Sequence, residues 1–214
     1  TTDDCQVDYK PVDISVRTTT LDGVGQAAQG TIKIYQLKQP ERVERSPLSG
    51  GFARYRGGKI NLADAPEPEP SNPNSWALGE VVFNQNVQTD AGGNGSVSVK
   101  LPAGMYRVKF ETKDRFEKAI TAELPLQVLD PDAKTLNLKI ANLVAAPQWS
   151  VEPGAEFVSL WGSGYNAARA FVEIEHRGKL LQSYWTQPGT SQVAIRQPVD
   201  ESMRGGFTFR TTMV

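Results

Sequence analysis

The chain has 214 residues, 39% of them hydrophobic and 22% charged, with 23 Lys and Arg almost balancing 24 Asp and Glu. That length suits two domains of roughly 100 residues or one large one, and the net charge of -1 gives no electrostatic footprint for nucleic acid or an anionic membrane surface. No apolar run approaches the roughly 20 residues of a membrane span, and nineteen glycines with fourteen prolines fit many short strands better than long helices.

The N-terminus, Thr1-Thr-Asp-Asp-Cys5, has neither a basic nor an apolar leader region. The chain is therefore cytosolic, already processed or cut from a longer protein, and the last is the expectation. Cys5 is the single cysteine, which excludes an internal disulfide and a cysteine-rich metal site. It is read as a small apolar strand-edge residue rather than a reactive thiol.

From Val12 the pattern alternates, with Val12, Ile14 and Val16 on one face and Asp13 and Ser15 on the other. A turn at Leu21-Asp-Gly-Val-Gly25 and a second strand, Thr31 to Leu37, complete what reads as a half-buried hairpin. Pattern is lost between Gln39 and Ser75. This stretch is charged at Pro40–Arg45, Gly-rich and basic at 50–59, and ends in Pro66-Glu-Pro-Glu-Pro70, which resists helix and sheet alike. The Arg54/Tyr55/Arg56/Lys59 cluster has the chemistry to take an anion or a nucleic-acid strand, but a solvated loop is the expectation.

Pattern returns at Trp76, with a strand over 78–89 and a hairpin turn at Asp90–Gly95, where Asn94-Gly95 readily takes positive φ. Asn94-Gly-Ser96 also matches a glycosylation acceptor, though the turn accounts for it. Strands over 96–101 and 105–111, joined by Pro102-Ala-Gly104, read as a pair, with Val97, Val99 and Leu101 facing Tyr106, Val108 and Phe110. The next strand, 116–129, contains Pro125 and so belongs on a sheet edge there.

Leu129–Ala133 is the expected domain boundary, and the alternation of Leu136, Leu138 and Ile140 predicts a strand that opens the second unit. Between Pro147 and Trp185 three apolar runs are separated by Pro153-Gly154, Gly162-Ser-Gly164 and Arg177-Gly178, the punctuation of antiparallel strands. Val193/Ile195 and Phe207–Val214 add two more. The reading is all-β, with two tandem antiparallel Ig-like sandwiches of about seven strands each, over 1–131 (with an insert at about 39–75) and 132–214. The second is expected to be one strand short and truncated at its C-terminus.

No arrangement of residues makes a convincing catalytic site. His176 follows Val172 and Ile174 at period two, while Glu173 and Glu175 point to the opposite face of that strand. Gly162-Ser163-Gly164 lacks the glycines at 161 and 165 that a Gly-x-Ser-x-Gly nucleophile elbow needs. The acid pairs Asp3/Asp4, Asp130/Asp132 and Asp200/Glu201 fall at predicted turns, so turn or cap roles are expected over calcium ligation or glycosidase chemistry. Glycine runs at 57–58 and 91–95 lack the Lys-Ser/Thr of a phosphate cradle.

The segments Trp149–Phe157, Leu160-Trp-Gly-Ser-Gly-Tyr165, Ala170–Gly178 and Met203–Thr208 resemble the macroglobulin-like domains of bacterial α2-macroglobulin-type proteins. Thr18–Gly23, Gly30–Pro40 and Leu101–Tyr106 are similar to the preceding domain of the same array. The resemblance implies macroglobulin-type sandwiches in a large cell-envelope protein, periplasmic or extracellular, that traps proteases. Its partners would be neighbouring domains of the same polypeptide and, for the full-length protein, target proteases. Nucleic acid and direct membrane insertion are not implied. The family's Cys-x-Glu-Gln thioester is absent, since the chain has Cys5-Gln-Val-Asp8. A non-catalytic scaffold without cofactor or metal follows as the expectation. The rival expectation is an adhesin or carbohydrate-binding pair of Ig-like domains, with Trp161, Tyr165, Tyr184 and Trp185 as an exposed stacking platform.

Overall fold

The computed structural model describes residues 5–46 and 69–214; the Arg54/Tyr55/Arg56/Lys59 cluster, Gly57–Gly58 and Asp3/Asp4 lie outside them. The described chain is all-β, apart from 3-10 turns at Pro73–Ser75 and Glu201–Met203. Its strands are β1 (Gln6–Val7), β2 (Pro11–Arg17), β3 (Gln29–Leu37), β4 (Leu78–Gln88), β5 (Asn94–Lys100), β6 (Gly104–Lys113) and β7 (Ala119–Leu129). They are followed by β8 (Leu143–Ala145), β9 (Glu156–Gly162), β10 (Ala170–His176), β11 (Lys179–Trp185), β12 (Gln192–Pro198) and β13 (Thr208–Met213).

The first seven strands form a five-stranded sheet, β1-β7-β6-β3-β4, and a two-stranded sheet, β2-β5. Period-two alternation gives each sheet one apolar face. Val12, Ile14, Val97 and Leu101 meet Ile32, Ile34, Tyr106, Val108, Phe110 and Val128 in one buried cluster. The last six strands form two three-stranded sheets, β12-β9-β8 and β11-β10-β13, around Trp161, Val172, Ile174 and Ile195. Pairing between the named strands is antiparallel, except that β1 runs parallel to β7 at Val128 and Leu129. Beyond that short cover β7 is an edge, and Pro125, opposite Arg107 of β6, sits where no further ladder bond is required.

Several expected pairings are corrected. β2 pairs with β5 from Pro11↔Lys100 to Arg17↔Asn94, not with β3, so the hairpin expected at Leu21–Gly25 does not form. The turn itself does, with Gly23 N–H donating to Thr20 O and Thr20 N–H to Val24 O. Thr18 N–H is bound to Gly93 O, however, and the chain crosses from one sheet to the other. Likewise β5 and β6 belong to opposite sheets; their apolar residues face one another across the core. In the 90–95 turn it is Gly93, at φ +81, that takes the left-handed conformation. Leu136, Leu138 and Ile140 are buried as their alternation predicts, but their backbone joins no ladder beyond one bridge from Ile140 to Glu44.

Candidate functional site

The expected stacking platform is not assembled. Trp161 is 0% exposed, packed among Ala170, Val172 and Ile195, and its indole N–H donates to Asn142 Oδ1 at 3.0 Å. No ligand ring reaches it. Tyr165 lies half-buried against the same core, its hydroxyl donating to Val43 O at 3.4 Å and its ring covered by the Arg45 guanidinium at 5.5 Å. Tyr184 opposes Val172 on the inner face, and burial pushes its phenol pKa up. Trp185, the next residue, points to the opposite face and is 46% exposed. It pairs with Phe171 at 5.1 Å between ring centroids, and the Arg169 guanidinium lies 5.3 Å over its ring. Neither Phe171 nor Arg169 was singled out by the sequence, although β10 opposite β11 is the place to look for such companions.

The remaining motifs are consumed by structure. Ser163 is fully buried; its hydroxyl donates to Ala141 O at 2.7 Å and accepts from Tyr165 N–H at 3.1 Å. Gly164 N–H donates to Ile140 O, and a Cβ at Gly164 would stand 2.5 Å from Leu138 O and 2.7 Å from Val43 Cγ2. The Gly-Ser-Gly turn is thus a clamp on the 138–141 backbone. His176 Nδ1 is 2.8 Å from Gly206 O, tying β10 to the segment before β13. Asp130 Oδ1 accepts from Asp132 N–H at 2.9 Å, an Asx turn. Asp200 caps the 3-10 turn at Glu201–Met203 and accepts from Ser202 N–H at 2.8 Å. The Ser202 side-chain and backbone hydrogen bonds hold its carboxyl below the usual range. Among the described residues no group of three or more His, Cys, Asp or Glu side chains is placed to hold a metal ion.

The feature with the clearest consequence is the seam between the two sheet pairs. Cys5, Leu37, Trp76, Met105 and Leu129 from one side pack with Leu136, Leu138, Ile140, Ala145 and Leu160 from the other in a single buried cluster. Polar bonds close its rim. Gln192 Nε2 donates to Asp130 O, Gln192 N–H to Lys134 O and Leu136 N–H to Ser191 Oγ at 3.2 Å. From the first sandwich, Gln39 Oε1 accepts from Lys139 N–H at 2.7 Å. The start of the stretch expected to be patternless, 39–45, therefore docks on the second sandwich. Nothing in the sequence marks Gln39, Val43 or Gln192, because the groups each of them meets lie far away in the chain.

No protein-family profile matches this chain. A 95-residue stretch, 42% of the chain, is 30% identical to a translocation and assembly module subunit, TamB, of Haemophilus influenzae. The match spans only 7% of that relative's length. Among solved structures, red sea bream transglutaminase aligns over 97% of this chain and 29% of its own, with 10% identity and a TM-score of 0.29. Dimeric latent PorU of Porphyromonas gingivalis aligns over 99% and 32%, with 8% identity and a TM-score of 0.21. Likeness at that level carries no functional argument.

Proposed function

We propose that the chain is a non-catalytic structural segment of a large α2-macroglobulin-type protease-trapping protein of the cell envelope, periplasmic or extracellular. One observation carries the reading: the two sandwiches share a buried apolar seam instead of a hinge. Separating them would expose Leu136, Leu138 and Ile140, at about 2 kcal/mol each. A two-domain unit of fixed geometry suits a scaffold that presents reactive parts carried by neighbouring domains of the same polypeptide. The residues behind the family resemblance also occupy architectural positions, among them the Gly162–Gly164 clamp and the Arg177-Gly178 turn. The test is to incubate the full-length protein with proteases of several classes. A size-shifted, protease-containing adduct is expected. Proteases that leave the protein unshifted and remain fully active on large substrates would defeat the reading.

The adhesin reading keeps one supporting observation, the exposed Trp185 beside Phe171 and Arg169. Glycan-array binding that is abolished by Trp185→Ala would favour it over the scaffold; an array without signal would remove it.

A further inference from the structure

At one end of the second sandwich a cavity of about 420 Å³ opens between the 149–153 segment and the 203–209 segment. That volume falls in the range of small-ligand pockets. Four of its walls are aromatic. Phe157 stands at the centre, 6.1 Å from Trp149, 5.3 Å from Phe207 in an edge-on contact and 6.1 Å from Phe209. Phe157 is buried, whereas Trp149 is 55% exposed and forms the outer lip. A buried core does not need a half-exposed tryptophan at its rim, and the cavity remains open beside it.

The rim also carries charge. Arg204 and Glu152 both line the cavity. The Arg204 guanidinium is engaged by both carboxylate oxygens of Glu201, so that cation is neutralised. Glu152 has no ion-pair partner among the described residues. The lining thus combines four aromatic side chains and the aliphatic Val151, Pro153, Val199 and Met203 with one exposed carboxylate that has no ion pair among the described residues. A neutral apolar group would make no use of Glu152, and an anion would be repelled by it. An organic cation uses both features, since ammonium groups are attracted to aromatic faces and more strongly so when partly desolvated.

The geometry points to an alkylammonium-binding site, with Trp149, Phe157, Phe207 and Phe209 as the aromatic walls and Glu152 as the counter-charge. The head group comes either from a free quaternary amine or from a lysine side chain of a peptide. This site stands apart from the scaffold role and does not depend on it.

Isothermal titration of the 214-residue chain with choline chloride, with the peptide acetyl-Gly-Lys-Gly-amide and with 3,3-dimethyl-1-butanol separates the possibilities. The alcohol is choline's uncharged isostere. Binding of choline or the peptide is expected, with the alcohol about tenfold weaker or undetectable. Whichever cation binds more tightly identifies the source of the head group. Trp149→Ala should weaken the cation by about fivefold. Glu152→Gln, an exposed change that leaves the fold alone, should weaken it by about threefold. Circular dichroism of both variants verifies that folding is retained. Failure of both cations to bind, equal binding of choline and the alcohol, or indifference to Glu152→Gln in a folded protein would overturn the assignment.

Discussion

Trp161 and Trp185 lie at opposite ends of one physical scale. Trp161 fills the centre of the second core and satisfies its indole N–H on the exposed Asn142, so removing it leaves a large cavity. Trp161→Ala should cost about 3–5 kcal/mol, read from urea midpoints, whereas Trp185→Ala should cost less than about 1.5 kcal/mol because nearly half of that side chain already faces solvent. Comparable losses for the two would contradict this assignment. Tyr106 offers a test by pH. Burial, chiefly, and then the neighbouring Asp8 and Tyr9 push its phenol up to about 12, while its hydroxyl donates to Pro102 O at 2.8 Å. A folded-state pKa raised from the ordinary 10 means stability that is complete below about pH 10 and lost as pH rises towards 12. Tyr106→Phe should be about 1 kcal/mol less stable at pH 8 through the lost hydrogen bond. It should also lose less stability than the parent between pH 10 and 12; a parallel decline in the two proteins would count against the shift.

At the scale of elements, two glycines are required for different reasons. Arg177-Gly178 closes the β10–β11 hairpin with φ of 49° and 76°, a two-residue turn whose twist matches the strands. The space beyond Gly178 is open, so Gly178→Ala carries only left-handed strain, about 1–2 kcal/mol. Gly164→Ala instead drives a methyl into Leu138 O and Val43 and loosens the seam, costing about 3 kcal/mol or more. Thermal melts of the two variants should rank in that order; the reverse would mean the clamp is not tight.

That hairpin also marks how far the sequence could be read. Its turn and strands were legible in Arg177-Gly178 and the flanking apolar runs. The register was not. Between Ile174↔Gln182 and Glu175↔Leu180 the ladder slips, leaving Leu181 as an extra residue, and a one-residue slip exchanges faces. That bulge sends Tyr184 inward and Trp185 outward, which no periodicity reveals. Mispairing of β2 with β3 has a similar origin. The turn at 20–24 is encoded locally, but the partner of β2 is β5, chosen by the packing of Val12 and Ile14 across the sandwich. Leu136–Ile140 gave the right burial and the wrong backbone, because alternation records which side is covered and not what hydrogen-bonds to it.

At the scale of the whole molecule, the seam makes the two sandwiches one mechanical unit. Their shared cluster contains Trp76 on one side and Leu160 on the other, so neither sandwich can open without exposing the apolar surface of its neighbour. Of the residues weighed from the sequence, Ser163, His176 and Trp161 are held in structural contacts, while Trp185 remains on the surface.

Scanning calorimetry tests that unity most directly. The chain should melt in a single transition whose calorimetric and van't Hoff enthalpies agree. The Leu136→Ala/Leu138→Ala double variant should lower stability by about 4 kcal/mol or more and separate the melting of the two sandwiches. Two resolved transitions in the unmodified chain, with one sandwich folded while the other has melted, would contradict the account.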